Sequence, residues 1–204
     1  MKAERSATLR DRFPDLQFAM ITDVVIDADF PARAAALDVA APIERDADRI
    51  ERAVAAADSF FRVEGHRCPL PGQLAGARRK GLPPVPPLVR ALLYAEMSTG
   101  VLLGVQDAAG MRGDLLLDLA QDGETFAGMR GDVVCRAGEP VIRDGAGIIA
   151  SVFQGPDHRT RIDDGTTQPI FYAFGVPGLD RERLDAAITA VRELFPAGSA
   201  VVHG

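Results

Sequence analysis

Apolar positions recur with helical spacing in three segments of the chain. Residues 44–62 place apolar side chains at steps of four, three and four with alanines between them, which predicts an amphipathic helix. Residues 184–195 repeat steps of four and three, and we expect this helix to begin at Asp180 as its N-cap and to stop at Pro196. Residues 87–98 begin with proline, are mainly apolar and precede a glycine, so a buried helix is predicted there.

The middle of the chain changes to short apolar runs that are interrupted by Gly and Asp. Residues 100–174 contain five or six runs of strand length, with hairpin turns expected at Asp144 and Ala137, each followed by glycine. One or two further strands are predicted within residues 16–26. Helices therefore flank a β-rich middle. The predicted fold class is α+β, a single domain with a β-sandwich-like core of short strands.

The segment between the first two predicted helices, residues 63–87, is rich in Pro and Gly, and only its middle has the composition of a short helix. That middle ends in the densest basic run of the chain, Arg78, Arg79 and Lys80. Cations suit the C-terminal end of a helix, which is one interpretation of the run. Contact with an RNA backbone is the other, and no other run in the chain is a better candidate for it.

Composition limits the class of protein and its partners. A formal charge of -6 argues against a surface that grips nucleic acid everywhere, although one basic patch is compatible with it. Cys68 and Cys135 have no partners at metal-ligand spacing and fit a reducing cytoplasm. No apolar leader or membrane-length apolar run occurs. We expect one cytoplasmic domain over residues 1–204, without a membrane span, DNA partner, metal or organic cofactor, and with a monomer favoured.

Residues 153–174 raise the question of chemistry, because polar side chains crowd between two apolar runs there. His158 is one of only three histidines, and Arg159 and Arg161 alternate around Thr160 as on a strand, so we expect both arginines on one face. Asp and Thr side chains in such a loop commonly cap turns and bond to the local backbone. The same groups are suited to the floor of a small pocket, and the sequence leaves both interpretations open.

Four short motifs occur in order within residues 82–178: LG-x-x-D at 103–107, GD at 113–114, GE-x-F at 123–126 and RT-x-I at 159–162. In order and spacing they resemble the B3/B4 domain of the phenylalanyl-tRNA synthetase beta subunit, and still more closely the freestanding proteins built from that domain alone. The resemblance implies a β-sandwich-like core with outer helices. It also implies a role at the 3′ end of aminoacyl-tRNA, where the synthetase domain hydrolyses the ester of a mischarged amino acid.

This chain departs from the synthetase in the editing pocket. Gly104 stands at the turn position where the synthetase has a His, Val152 and Phe153 replace a Gly-Gly pair, and Tyr172 replaces an acidic residue on the last strand. We therefore expect a pocket that differs from the synthetase's. Little acid–base machinery and no metal are required, because the neighbouring ribose hydroxyl already activates the aminoacyl ester.

The residues and the resemblance together predict a tRNA-binding protein that hydrolyses wrongly attached amino acids in a cleft between the LG-x-x-D turn and the RT-x-I segment. The catalytic candidates, which would orient the substrate, place water and stabilise the oxyanion, are His158, Thr160, Thr167 and Asp114. The substrate-binding candidates are Gly104, Asp107, Val152, Phe153, Asp163 and Tyr172. The tRNA-binding candidates are Arg78, Arg79, Lys80, Arg159 and Arg161.

Two alternative functions remain open at this point. The chain can be a non-catalytic RNA-binding module that keeps the fold, as the replaced pocket positions would allow. It can also bind a free amino-acid-like small molecule without any RNA partner, an alternative that the acidic total charge favours. Salt dependence separates the two, since RNA binding weakens steeply as salt rises.

Overall fold

The computed structural model describes residues 1–196 and 200–203. The two helices Leu70–Lys80 and Pro87–Thr99 each end at a glycine with positive φ, Gly81 at 69° and Gly100 at 73°, a conformation that glycine adopts without strain. The α-helices of the described part are α1 (Ala7–Arg12), α2 (Phe30–Ala35), α3 (Ala40–Arg45), α4 (Ala47–Val63), α5 (Leu70–Lys80), α6 (Pro87–Thr99) and α7 (Arg181–Arg192).

The strands form two main sheets and one small hairpin. They are β1 (Ala3–Arg5), β2 (Gln17–Thr22), β3 (Leu102–Asp107), β4 (Leu115–Leu119), β5 (Thr125–Gly128), β6 (Gly131–Val134), β7 (Pro140–Asp144), β8 (Gly147–Ser151), β9 (Gly155–Pro156), β10 (Pro169–Gly175) and β11 (Ala200–His203).

The first sheet has the order β1-β4-β7-β8-β9, and the second has the order β11-β2-β10-β3. Only the β1–β4 pair is parallel among the described pairs of these two sheets. Strands β5 and β6 pair with each other. The two sheets approach each other where β3 contacts β9.

The α+β prediction is confirmed, and α4, α6 and α7 lie where the apolar pattern predicts helices, whereas α1, α2 and α3 were not predicted. Helix α6 spans the predicted buried segment almost to the residue, and the short helix inside the Pro/Gly-rich segment is α5. Asp180 is the N-cap of α7, since its side chain accepts a hydrogen bond of 2.7 Å from the backbone N–H of Arg183.

Two boundary predictions are wrong. Helix α7 ends at Arg192 rather than Pro196, because the backbone closes into tighter turns there, with the N–H of Phe195 bonded to the carbonyl of Arg192. The turn at Ala137 is not a hairpin turn, because β6 pairs with β5 whereas β7 pairs with β4 and β8, so the turn carries the chain between sheets. The hairpin turn at Asp144 is confirmed between β7 and β8.

The strand predicted within residues 16–26 is the single strand β2, which stops at Thr22 because Asp23 takes a positive φ of 58°. Strands β1 and β11 carry too few residues for a periodicity to be recognised and were not predicted.

One large hydrophobic core connects the second sheet with the helices. Helix α6 contacts α2, α4, α5, α7 and β3, and it is therefore the central element of this layer. Phe18, Phe30, Phe61 and Phe171 are among the largest side chains that are fully buried. Burial of each such side chain contributes roughly 1.5–3 kcal/mol. This packing fixes α6 against the end of β3, which is where the candidate site lies.

Candidate functional site

A cavity of about 550 Å³ opens between α5, α6, the strands β3 and β10, and the segment that follows β8. Its volume lies within the usual range for sites that bind small molecules. The wall is mainly apolar, with the polar groups few and separate. The apolar side chains include Phe61, Val89, Leu92, Leu102, Val105 and Phe153.

Gly104 and Tyr172 face each other across the β3–β10 pair in this wall. A Cβ atom at position 104 would lie 2.2 Å from the Cζ atom of Tyr172, so the phenol ring occupies the space that any side chain at 104 would need. The ring is 3% exposed and stacks on Phe18 with 6.0 Å between the ring centroids. Burial raises the pKa of Tyr172, which keeps its hydroxyl protonated. Gly104 and Tyr172, two positions that the sequence resemblance singles out, therefore form one structural feature.

Glu96 is a carboxylic acid buried in the cavity wall. It projects from α6, is 3% exposed, and its Oε1 accepts a hydrogen bond of 3.0 Å from the backbone N–H of Leu103. Among the residues that the structure describes, its Oε2 has no hydrogen-bond partner. Burial raises the pKa of Glu96 to about 8, so the carboxyl is protonated at neutral pH. Among the lining residues that the structure describes, it is the sole carboxylic acid.

A second acceptor without a partner lies in the same wall. The Oε1 atom of Gln73, on α5, is buried and makes no hydrogen bond with residues 1–196 or 200–203. Buried polar atoms without partners are rare in folded proteins, since each costs about 1–3 kcal/mol. Each of the two oxygens is therefore a candidate acceptor for a hydrogen bond from a bound molecule.

Two arginines supply positive charge to the cavity. Arg67 is exposed, and Arg161 is half-buried in the segment after β9. The Nη1 atom of Arg161 donates a hydrogen bond of 2.9 Å to the carbonyl of His158 and lies 3.1 Å from Nδ1 of the same residue. The lining thus combines two cations with an acid that stays uncharged at neutral pH.

The segment after β8 is held in place from behind. The hydroxyl of Ser151 accepts hydrogen bonds from the backbone N–H groups of Phe153 and Gln154, at 3.2 and 3.3 Å. The ring of His66 stacks on Phe153 with 4.6 Å between centroids, and its Nε2 lies 2.9 Å from the buried carboxylate of Glu139. Gln154 donates to the other oxygen of the same carboxylate at 2.7 Å. This wall of the cavity is therefore firmly positioned.

Four of the six predicted substrate-binding residues line the cavity. They are Gly104, Val152, Phe153 and Tyr172. Asp107 and Asp163 do not line it; their carboxylates accept hydrogen bonds from the backbone N–H groups of Ala109 and Gly165 and so cap local turns. Asp163 also lines a separate cavity of about 240 Å³ beside α2.

The four predicted catalytic residues do not meet at the cavity. His158 is exposed beside Arg161. Thr160 is fully buried, donates to the carboxylate of Asp157 and accepts from Nε2 of Gln106 at 2.6 Å. Thr167 lines a different cavity of about 620 Å³ next to β2. Asp114 accepts a hydrogen bond of 2.7 Å from the backbone N–H of Lys2 at the β1–β4 edge.

The two loop arginines do not share a face, which corrects the expectation from their alternation. Residues 158–161 form turns rather than a strand. The guanidinium of Arg159 donates two hydrogen bonds, of 2.9 and 3.0 Å, to the carboxylate of Asp144, whereas Arg161 lines the cavity. Burial acts to raise the pKa of Asp144, but its hydrogen bonds, from Arg159 first, outweigh that effect and hold the pKa below its usual value.

The basic run Arg78, Arg79 and Lys80 forms the last turn of α5, as the helix interpretation predicts. Arg78 pairs with Glu51 at 2.7 Å, and all three side chains are exposed. Gln73, one of the α5 residues in the cavity wall, precedes Arg79 by six residues, which corresponds to about 9 Å along a helix. The run does not line the cavity itself.

The sequence interpretation missed Glu96, Gln73 and Arg67. A single acid inside a helix predicted to be buried is a signal for Glu96, because a buried carboxyl is unusual without a function. Gln73 and Arg67 carry no comparable signal, since both lie in a segment where polar residues are common.

Within residues 1–196 and 200–203 no helix is long and apolar enough to cross a membrane. Across the same residues, His, Cys, Asp and Glu side chains form no group of three or more that could hold a metal ion.

No family model and no curated protein matches the chain. Among solved structures, it is similar to an N-terminal fragment of the phenylalanyl-tRNA synthetase beta subunit from Pyrococcus horikoshii, with a TM-score of 0.50 and 13% sequence identity. The alignment covers 98% of this chain and 50% of the fragment, so the chain spans half the length of that structure. At this identity the likeness concerns the fold, and it agrees with the fold expected from the sequence resemblance.

Proposed function

We propose that this chain binds the aminoacylated 3′ end of a tRNA and hydrolyses mischarged aminoacyl esters. The observation that carries the proposal is the cavity of about 550 Å³, with a mainly apolar wall and two arginines in its lining. An amino-acid side chain suits the apolar part, and the phosphates of an RNA end suit the arginines. The fold likeness to a fragment of a tRNA synthetase subunit supports the same interpretation.

Hydrolysis of the ester needs a positioned water and donors for the charge that develops on the carbonyl oxygen. The water oxygen bonds to the carbonyl carbon, the bond from that carbon to the ribose oxygen breaks, and a proton passes to the ribose oxygen. The Tyr172 hydroxyl, which stays protonated because burial raises its pKa, is a lining group that can donate a hydrogen bond during these steps. Of the four predicted catalytic residues, His158 adjoins the cavity through Arg161, and we retain it as a candidate.

The test is a deacylation panel. Purified protein is mixed with tRNAs charged with each standard amino acid and with common analogues, and loss of the ester is compared with a reaction without protein. We expect one charged tRNA to lose its ester faster than background. Arg161→Ala should slow the reaction by weakening tRNA binding, whereas Asp163→Ala, which removes a turn cap outside the cavity, should leave it unchanged.

If every ester survives at a protein concentration equal to that of the tRNA, the hydrolase proposal is wrong. Binding of the same charged tRNAs, measured as a function of salt, then decides what remains. Binding that weakens steeply with salt supports a non-catalytic RNA-binding module, an alternative favoured by the separation of the predicted catalytic residues from the cavity. Absence of tRNA binding at low salt would overturn the proposal as a whole.

A further inference from the structure

Two residues of the cavity lining each have a buried side-chain oxygen, Oε2 of Glu96 and Oε1 of Gln73, that accepts no hydrogen bond from the part of the chain that the structure describes. They project from two different helices, α6 and α5, that pack against each other. An amide oxygen only accepts hydrogen bonds, and an ionised carboxylate likewise only accepts. A ligand that satisfies both must therefore bring hydrogen-bond donors, and more than one.

We propose that the cavity binds its ligand by a primary ammonium group, which pairs with the carboxylate of Glu96 and also donates to Gln73. An ammonium group carries three donors and no acceptor, which matches two unpartnered oxygens better than a hydroxyl does. This inference rests on the proposed function in taking the ligand to be an aminoacyl group, and it adds the part of that group which the cavity recognises.

The surroundings of Glu96 favour this pairing. Burial and the N–H of Leu103 are the influences on the ionisation of Glu96, and no charged side chain already neutralises it. The titratable side chains nearby, Cys68 and Tyr172, remain uncharged because burial raises the pKa of each. Arg67 and Arg161 also line the cavity but donate no hydrogen bond to Glu96. An entering ammonium is therefore the cation that Glu96 lacks.

The proton balance of binding is simple. When no ligand is bound, the carboxyl of Glu96 is protonated and therefore neutral at neutral pH. When an ammonium group enters, Glu96 releases its proton to solvent and an ammonium–carboxylate pair forms in an apolar setting, where charge-assisted hydrogen bonds are strong. Binding should therefore release a proton, and the carboxyl of Glu96 should change from protonated to ionised.

Two sources of the ammonium are possible in an aminoacyl group, the α-amine and an amine at the end of the side chain. Four adenosine probes with a stable amide in place of the ester distinguish them, because they share one chain length. The caproyl probe has no amine, the norleucyl probe has only the α-amine, the ε-aminocaproyl probe has only the terminal amine, and the lysyl probe has both. Their dissociation constants are measured by calorimetry with the full chain.

We expect at least one of the singly aminated probes to bind about tenfold or more tightly than the caproyl probe, and the one that gains identifies the source. Glu96→Gln should remove this preference, because glutamine keeps the hydrogen bond to Leu103 but cannot ionise. Asp107→Asn, a carboxyl outside the cavity, should keep the preference.

An infrared difference spectrum of the wild-type protein gives a readout that does not depend on any variant being folded. The carbonyl band of a buried protonated carboxyl should disappear when the preferred aminated probe binds. Equal affinities for all four probes would overturn the ammonium inference and leave aminoacyl binding intact. A preference that persists in Glu96→Gln would overturn the role of Glu96. Failure of every probe to bind would overturn the inference together with the proposed function.

Discussion

The polar loop at residues 157–167 and the apolar cavity beside it use their hydrogen-bonding groups in opposite ways. In the loop, the carboxylate of Asp157 accepts from the backbone N–H and the hydroxyl of Thr160, and Asp163 exchanges hydrogen bonds with Thr166. In the cavity, an oxygen of Glu96 has no partner. These loop residues thus use their polar groups in hydrogen bonds with one another, whereas the cavity lining includes an oxygen for which the described residues offer no partner.

The polar loop at residues 157–167 joins the two sheets. Thr160 accepts a hydrogen bond from Gln106 of β3, and the same amide nitrogen donates to the carbonyl of Ile149 in β8 at 2.6 Å. The carbonyl of Thr160 accepts from the N–H of Asp107 at 2.8 Å, and the N–H of Asp157 bonds to Ile149 at 2.8 Å. Thr160, one of the predicted catalytic residues, therefore takes part in the connection between β3 and β8, and the cavity lies next to that connection.

The largest effect on the free energy of unfolding is expected from a substitution in the cavity wall, Glu96→Gln, at alkaline pH. The folded pKa of about 8 lies above the usual 4.5, so the contribution of Glu96 to stability is full below about pH 4.5 and falls as the pH rises to about 8. The free energy of unfolding of the wild type should fall relative to that of the variant by about 1 kcal/mol per pH unit over this range.

Urea unfolding of both proteins across this pH range measures the difference. Glutamine does not titrate, so any pH dependence of the free energy of unfolding that both proteins share comes from other groups. This shared part cancels when one profile is subtracted from the other. Parallel pH profiles for the two proteins would mean that Glu96 ionises normally in the folded state, and the contrast between the cavity and the loop would lose its main support.

In the polar loop, Asp157→Ala should destabilise the protein by about 3 kcal/mol. The carboxylate of Asp157 is 5% exposed, and its removal leaves the buried hydroxyl and N–H of Thr160 without their acceptor. Urea unfolding at neutral pH measures the loss. Asp163→Ala is the matched control from the exposed part of the same loop and should change stability by less than about 0.5 kcal/mol. Equal losses in the two variants would show that the inter-sheet connection is not special.

How much of this molecule could be predicted from sequence depends on whether the signal is local. Helices α4 and α6 are encoded by apolar spacing within one segment, so their positions were predicted to within a few residues. The shared wall of Gly104 and Tyr172 depends on the register of β3 against β10, which no local pattern encodes; the family resemblance pointed to both positions without showing that they touch. The density of polar residues near His158 predicted a site, but those groups bond mostly to one another.

The smallest effects on stability are expected from alanine substitutions at two glycines. Gly104 tests the contact with Tyr172, and Gly76 is the control. Gly104→Ala should lower the free energy of unfolding by about 1–3 kcal/mol, because the new methyl group would overlap the phenol ring of Tyr172 and force it from its stack on Phe18. Gly76→Ala, in the interior of α5 with no atom within 4 Å of the added Cβ, should instead raise it by about 0.5–1 kcal/mol through helix propensity.

If the free energy of unfolding falls in Gly104→Ala and rises in Gly76→Ala, the loss at position 104 comes from contact with the ring of Tyr172 and not from replacing a glycine as such. We expect the tyrosine to relieve the overlap by moving into the cavity that it lines, so Gly104→Ala should also weaken binding of the caproyl probe, which fills the cavity without any ammonium contact. If Gly104→Ala changes neither the free energy of unfolding nor the affinity for the caproyl probe, the ring of Tyr172 moves at little cost. The cavity wall at β3 and β10 is then less rigid than its packing indicates.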